Sequence, residues 1–400
     1  MFTLTEEQKQ NILEIRRTLH RQPELAFQEK KTSALIESLL QKTGVRYQAG
    51  LAGGTGIRAE LGKGSGPCVA LRADMDALPV QEETGLDFAS QQAGVMHACG
   101  HDGHTAMLLG AAKILTRSSI LHEISSRVVL LFQPAEEAGT GAPAMIADHC
   151  LQDVAMIFSG HIDTHHPVGY LAVDQGLICS YADPFFIEIC GQGGHAARPH
   201  EAIDAVVVAA DLVLNIQTMV SRMIDPARPG VITVGRIAAG AVHNVIAGKA
   251  VLEGTIRSTH PDTRARIISR MQGVVRGLEE MCNAKINFTL KQGLPAVVND
   301  PVSCAIARQA AQEVVGDEWV ISQGFPSLGG EDFSFYQERI PGTLIRFGAA
   351  KKSNTALNTA SNTAGPSHSG TFDFDEKVLA YGSQWLATVA VHALQHLKKS

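Results

Sequence analysis

The octet His97-Ala98-Cys99-Gly100-His101-Asp102-Gly103-His104 places a thiol, a carboxylate and three imidazoles among small residues. A single glycine separates Cys99 from His101, so both side chains can turn toward one point. Thiolate and imidazole together suit zinc or another borderline transition metal. A His-rich loop or helix cap is the alternative that this octet alone leaves open. A second segment, Val128-Val-Leu-Leu-Phe-Gln-Pro-Ala-Glu-Glu137, runs from an apolar stretch straight into two adjacent carboxylates. Such a pair can divide labour, one glutamate ligating a cation and the other moving protons. An exposed helix start, where the dipole favours acids, would look the same. Asp74 and Asp76 follow another apolar run, and His161 follows Val154–Gly160, with Asp163, His165 and His166 close behind. His368 lies late in the chain, in Gly365-Pro-Ser-His-Ser-Gly-Thr-Phe372.

These groups need a scaffold that brings distant residues together. Helical spacing covers 5–19 and 30–42, and Gly56–Leu61 and Cys68–Asp74 have strand patterning. Helix is expected again over 104–117, then strands at Arg127–Phe132 and Val154–Gly160. Alternating strands and helices imply an α/β layer with a mixed, mostly parallel sheet. Sites of such sheets lie at the carboxyl ends of the strands, so Asp74/Asp76, Glu136/Glu137 and His161 would gather at one edge. From about 183 the order becomes strand (Pro184–Cys190), helix (201–223), strands (Gly230–Ile237 and Lys249–Ser258), helix (262–282) and strand (Lys285–Leu290). That β-α-β-β-α-β order is the pattern of a ferredoxin-like unit. The rest reads as helix over 301–315, strand over 343–348 and helix over 376–397. The expected organisation is a catalytic domain in two parts, 1–182 and 295–400, interrupted by an inserted ferredoxin-like domain at 183–294. Lys351–Gly365, rich in Asn, Thr and Ser, reads as a mobile surface loop.

Bulk properties narrow the class. Four hundred residues exceed one ordinary hydrophobic core. A hydrophobic content of 45% and a charged content of 18% are those of a globular protein. The net charge of −6 and the absence of a basic stripe argue against nucleic acid as a partner. No unbroken apolar window reaches a membrane span, and the polar N-terminus lacks a signal-peptide layout. Seven cysteines, odd in number and irregularly spaced, fit a reduced compartment. A cytoplasmic protein without membrane or nucleic-acid partners is expected.

The motifs RADMDALP, HACGHDGH, QPAEE, GQGGHAARPH, HNVIAGKAVLEGTIRS, GGEDF and the late His-Ser occur here in a familiar order. The chain resembles, over essentially its whole length, the hippurate-hydrolase and auxin-conjugate-hydrolase type amidohydrolases. These belong to the superfamily of aminoacylase and bacterial carboxypeptidase G. The resemblance implies two divalent metal ions (Mn, Zn, Ni or Co) held by Cys99, His101, Glu137, His161 and His368, with Glu136 as general base. It places Asp76 where an aspartate orients a ligand. His195 matches a histidine that reaches a neighbouring subunit's site and steadies the oxyanion, while Asn244 and Arg257 match residues that hold the substrate's carboxylate. It further implies a homodimer or higher homo-oligomer formed through the inserted domain, and N-acyl amino acids as substrates. One departure stands out: relatives carry leucine before the histidine matching His161 and proline soon after it, where this chain has Gly160 and Thr164.

The resemblance thus predicts amide hydrolysis by an activated water. Three rival readings remain: a cysteine hydrolase using Cys99, a non-catalytic peptide-binding protein with the same fold, and a dipeptidase or carboxypeptidase sharing the mechanism. The acyl group and the amino-acid side chain are not legible in the sequence.

Overall fold

The computed structural model describes residues 2–123, 125–291, 293–351 and 365–399. Most of the expected loop Lys351–Gly365 lies outside the described residues. The chain divides into two compact units, Met1–Ile178 with Val298–Phe325 and Glu331–Ser400, and Cys179–Val297 with Pro326–Gly330.

The first unit opens with helix α1 (Glu6–Arg21), whose start is fixed by a reciprocal cap: Gln8 N donates to Thr5 Oγ1 (3.2 Å) and Thr5 N to Gln8 Oε1 (2.8 Å). Both orphan N–H groups are thereby satisfied, and Glu6 and Glu7 complement the dipole. Helix α2 (Lys30–Lys42) follows, then strands β1 (Arg46–Leu51), β2 (Gly56–Leu61) and β3 (Cys68–Asp74). Helix α3 (His101–Arg117), strand β4 (Arg127–Gln133) and strand β5 (Met156–Pro167) come next. An eight-stranded sheet takes the order β1, β2, β4, β3, β5, Gly342–Ala350, Leu171–Ala172, Val320–Ile321. Its centre is parallel: β3 pairs in parallel with both β4 and β5, and β5 with Gly342–Ala350. Every residue of β3 is buried and all but the first of β4, as expected of strands covered on both faces. The outer strands β1 and β2 run antiparallel, and β1 has no counterpart in the sequence reading because its exposed-and-half-buried alternation carries little apolar signal.

Helix α3 is buried nearly throughout and packs against the C-terminal helix Val378–Lys399. The contact is close because glycines face it. A Cβ on Gly110 would lie 2.3 Å from Ser383 Oγ, and one on Gly382 would lie 2.1 Å from Met107 Sδ. Trp385 is fully buried there and donates Nε1 to Ala307 O (3.1 Å).

The second unit has a four-stranded antiparallel sheet in the order Gly230–Ala239, Lys249–Ser258, Tyr181–Cys190, Lys285–Leu290. Helices Ala205–Met223 and Pro261–Cys282 connect its strands in the chain order β-α-β-β-α-β. Alternate residues Phe185, Ile187 and Ile189 are buried in one cluster with Leu212, Ile216, Ile267 and Met271 of the helices. Helix Ala205–Met223 is long and apolar enough by composition to cross a membrane. Its Val208, Leu212, Ile216 and Met219 recur at helical spacing and join this core, which accounts for the apolar stripe.

Candidate metal centre

Because β3 and β4 are parallel, their carboxyl ends open onto the same edge of the sheet. Past the end of β4 the chain turns sharply through Ala135, which has a positive φ of 57°. Its N–H donates to the buried Glu29 carboxylate (3.0 Å). The same turn requires Gly141, where a Cβ would sit 1.7 Å from Pro134 O. Glu136 and Glu137 emerge from this turn, with Glu137 N donating to Asp76 Oδ2 (3.0 Å). Asp76 also receives His101. Nδ1 of His101 lies 3.0 Å from Asp76 O and 3.2 Å from Asp76 Oδ1, both acceptors, so Nδ1 carries the proton and Nε2 a lone pair.

His101 opens helix α3, after Gly100 at a φ of 87°. The helix start lies flush on β5 because two glycines meet Ile162. A Cβ on Gly103 would stand 2.6 Å from Ile162 Cδ1, and one on Gly100 would stand 3.2 Å from it. β5 itself runs on to Pro167, so His161 lies within a strand and not at its end, contrary to the sequence reading. The reason is the neighbouring strand: His161, Ile162 and Asp163 stand opposite Arg346, Phe347 and Gly348, which carries the ladder past the expected stop. That partner also accounts for Gly160. The Phe347 ring fills the space of a side chain there, 2.3 Å from where a Cβ would be.

Five separate segments thus converge. Cys99 Sγ is 3.5 Å from His161 Nε2, and His368 Nε2 is 3.5 Å from Glu137 Oε1. His101 Nε2 is 3.9 Å from both Glu136 Oε2 and Glu137 Oε1. Donor atoms of Cys99, His101 and His161 lie within 4.8 Å of one another, and so do those of Cys99, Glu137 and His368. His161 Nδ1 donates to Ile162 O (2.7 Å), which leaves its Nε2 lone pair facing the thiol. His368 arrives with a positive φ of 68°, and its N–H is anchored on Ala98 O (2.8 Å).

The donor set fits divalent cations. His101 Nε2 and Glu137 Oε1 are buried without a hydrogen-bond partner among the described residues, and a cation would satisfy both. Sulfur, nitrogen and oxygen donors together suit borderline ions. Electrostatics agrees. Burial pushes the Cys99 thiol far up, and burial with Glu331, Asp332 and Glu137 nearby raises the Glu136 carboxyl well above its usual range. Burial also raises Glu137, with His101 and His368 opposing. Burial disfavours the His101 imidazolium, yet Asp74, Asp76 and Cys99 outweigh it and raise that group well above the ordinary value. His161 is held well below its ordinary value by burial and then by His104 and Arg346. Without an ion, protonation is favoured at Cys99, His101 and Glu137, where a cation would compete with the proton, whereas His161 is held neutral.

Other imidazoles do different work. His104 is fully engaged, between Asp74 Oδ1 (2.6 Å) and Ile162 N (2.8 Å). Asp102 binds Arg16 and His20. His165 is exposed and pairs with Asp163 (2.7 Å), away from the cluster. Glu331 and Asp332, which carry no assigned role in the sequence, come within 4.8 Å of Glu136. Arg72 is likewise without a role in the sequence. This guanidinium is fully buried and bonds Asp74 (2.6 Å), Gln133 (2.8 Å) and Asp332 (2.9 Å). An arginine inside a buried apolar strand must find such partners, and that was the signal available.

His195, Asn244 and Arg257 belong to the second unit. His195 pairs with Val245 in a short ladder, and its Nδ1 accepts from Ala197 N (3.1 Å), so Nε2 carries the proton. Asn244 O accepts from Ala196 N (3.3 Å). Arg257 is half-buried on the strand Lys249–Ser258, where burial lowers its pKa, and its guanidinium has no hydrogen-bond or ion-pair partner among the described residues.

A mixed sheet with sulfur, imidazole and carboxylate donors at the carboxyl edge of its parallel strands defines a metallohydrolase-type centre. Residues 70–392 match the family described as Peptidase family M20/M25/M40, and the chain belongs to that family. It is 38% identical over 390 residues to IAA-amino acid hydrolase ILR1-like 2 of Arabidopsis thaliana, covering 96% of this chain and 85% of that protein. It is 36% identical over 388 residues to N-acetylcysteine deacetylase of Bacillus subtilis (strain 168), covering 97% and 98%. Among solved structures, the Bacillus subtilis YXEP protein, described as a dinuclear metal binding peptidase from M20 family, aligns with a TM-score of 0.83. That alignment has 33% identity and covers 98% of this chain and 99% of that one. The protein is a metal-dependent amidohydrolase.

Proposed function

We propose that this enzyme hydrolyses the amide bond of N-acyl amino acids, using two divalent ions held by Cys99, His101, Glu137, His161 and His368 and Glu136 as general base. The observation that carries this reading is the position of Glu136. Its buried Oε2 lies 3.9 Å from the orphaned Nε2 of His101, beside Glu137. Bound ions of this kind lower the pKa of water from 15.7 to about 7 and polarise a carbonyl. Glu136, raised by burial and then by its acidic neighbours, takes the proton of the attacking water and returns it to the leaving amine. His195 donates Nε2–H to the oxyanion from a neighbouring subunit, as its Ala197-directed tautomer permits. Arg257, half-buried and without an ion pair or hydrogen bond among the described residues, takes the substrate carboxylate with Asn244.

In this reading residues 183–294 serve as lid and dimerisation domain of a cytoplasmic homo-oligomer. Support comes from the edge strand Gly230–Ala239, with Val231 and Ile237 exposed at 38% and 53%, and from Val207 and Leu214 on the adjoining helix, at 61% and 65%. A nucleophilic Cys99 is disfavoured, because burial raises the thiol and lowers His161, the opposite of a thiolate–imidazolium pair.

The test is a panel of N-acetyl, N-benzoyl and indole-acetyl amino acids, their carboxamides and a set of dipeptides. Each is assayed with protein stripped of metal and reloaded with Mn²⁺, Zn²⁺, Ni²⁺ or Co²⁺. Hydrolysis of the acids, lost on stripping and regained on reloading, is expected. Activity in the stripped protein, or equal rates on acids and carboxamides, would refute the reading. Preference for dipeptides would make it a dipeptidase.

A further inference from the structure

His104 does not line up with the candidate ligands in any triad that contains Cys99, yet it is joined to one of them by hydrogen bonds that meet at the backbone of Ile162. This chain of bonds begins at Arg72, whose Nη1 donates to Asp74 Oδ2 (2.6 Å). The other oxygen, Asp74 Oδ1, accepts from His104 Nδ1 (2.6 Å). On the far side of the ring, His104 Nε2 accepts the backbone N–H of Ile162 (2.8 Å). The carbonyl of the same residue, Ile162 O, accepts Nδ1–H of His161 (2.7 Å). All five residues are buried or half-buried, and Thr105 Oγ1 pins the start of the chain by donating to Asp74 O (2.9 Å).

The donor and acceptor roles are forced at every link. A carboxylate can only accept, so His104 carries its proton on Nδ1. A peptide N–H can only donate, so His104 Nε2 presents a lone pair to Ile162 and has none left for a cation. A carbonyl can only accept, so His161 also carries its proton on Nδ1 and turns its Nε2 lone pair toward Cys99. The sheet explains why His104 is needed at this point. The ladder between β3 and β5 ends at the pair Leu71–Phe158, so the amide of Ile162 lies past the last β3 partner and takes a side chain in place of a strand.

We propose that His104 is a positioning residue that holds the backbone at Ile162, and with it the carbonyl that aims His161, and so governs affinity for the ion shared by His161 and Cys99. The inference rests on the reading of His161 as a ligand. Partners one bond removed from a metal ligand typically change affinity by about 10–100-fold. Glu137 and His368 make no hydrogen bond to His104 or Ile162 among the described residues, and they meet this set of bonds through Cys99.

The experiment is a Co²⁺ titration of the stripped protein, followed by the thiolate-to-metal absorption of Cys99 and by bound-metal stoichiometry. Wild type is compared with His104→Asn, His104→Gln and His161→Ala. Asparagine can still reach Asp74 but offers Ile162 no acceptor at the Nε2 position, whereas glutamine restores one there. A fall of about 10–100-fold in affinity for the thiolate-bound ion in His104→Asn, largely recovered in His104→Gln, supports the proposal. Wild-type affinity in His104→Asn, while His161→Ala loses an ion, overturns it and leaves the ligand reading standing. Two ions retained in His161→Ala overturn the ligand reading and the proposal together. A measurement on unaltered protein guards against misfolded variants: long-range ¹H–¹⁵N spectra of zinc-loaded enzyme report each imidazole tautomer. Nδ1–H on both His104 and His161 supports the relay, and Nε2–H on either overturns it.

Discussion

Replacing Glu136 with glutamine removes a proton acceptor while keeping size, shape and hydrogen-bonding reach. The glutamine can still receive Asp332 N, which lies 3.4 Å from Glu136 Oε1. It has no carboxylate to take a proton from water or hand one to the leaving amine. General base catalysis contributes about 10²–10⁴ in rate, equivalent to about 3–5 kcal/mol of barrier. Stability should move the other way. Glu136, Glu331 and Asp332 lie within 4.8 Å of one another, and two like charges about 4 Å apart repel by about 4 kcal/mol at an effective dielectric of 20. Proton uptake relieves part of that repulsion, because the folded protein raises the Glu136 pKa well above its usual range. A folded state that binds the extra proton loses stability as pH rises above the ordinary carboxylate value. The variant escapes this loss, so its melting temperature should equal or exceed that of wild type, increasingly so toward higher pH. The assay pairs kcat at matched metal content with thermal unfolding of the stripped proteins. Turnover within a few-fold of wild type would remove Glu136 as base. Loss of activity together with loss of bound metal would make it a ligand instead.

Further outcomes follow from the same geometry. Arg257→Ala should raise KM for N-acyl amino acids about 10–100-fold, the worth of a charge-assisted pair, with a much smaller change in kcat; an unchanged KM places the carboxylate elsewhere. Mixing inactive His195→Ala with inactive Glu136→Gln should restore about a quarter of wild-type activity, since half the dimers are hybrids with one intact site. No recovery after demonstrated subunit exchange refutes sharing. Burial opposes charge on His20, but Asp102 and Glu82 outweigh it and raise its pKa to about 9. That stabilisation, at most roughly 3 kcal/mol, is fully present below the ordinary histidine value and is lost as pH climbs through about 9. Wild type should therefore lose melting temperature over that window and His20→Asn should not; parallel curves refute the linkage.

Local chemistry was legible in the sequence wherever it depends on residue type and short spacing. Thiol, imidazole and carboxylate declared the donor set, and apolar runs such as Val128–Phe132 declared buried strands whose ends must carry polar groups. The resemblance added roles, above all for His368, which by itself has no signal. The second unit's strand and helix order could be read from its periodicity, because each element buries one face in a common core.

What the chain alone could not decide was partnership across long separations. His161 was expected at a strand end, but the parallel neighbour Gly342–Ala350, nearly two hundred residues away, extends that strand. Gly160 is an unexplained departure until the Phe347 ring is seen in its place. Glu331, Asp332 and Arg72 acquire meaning only when folding buries opposite charges together, because burial makes an unpaired charge far more costly than it is in water. Which imidazole is a candidate ligand and which is a support is decided the same way. His101 and His104 are three residues apart on one helix turn and chemically identical. The first has a buried nitrogen with no hydrogen-bond partner among the described residues, and the second spends both of its nitrogens on Asp74 and Ile162.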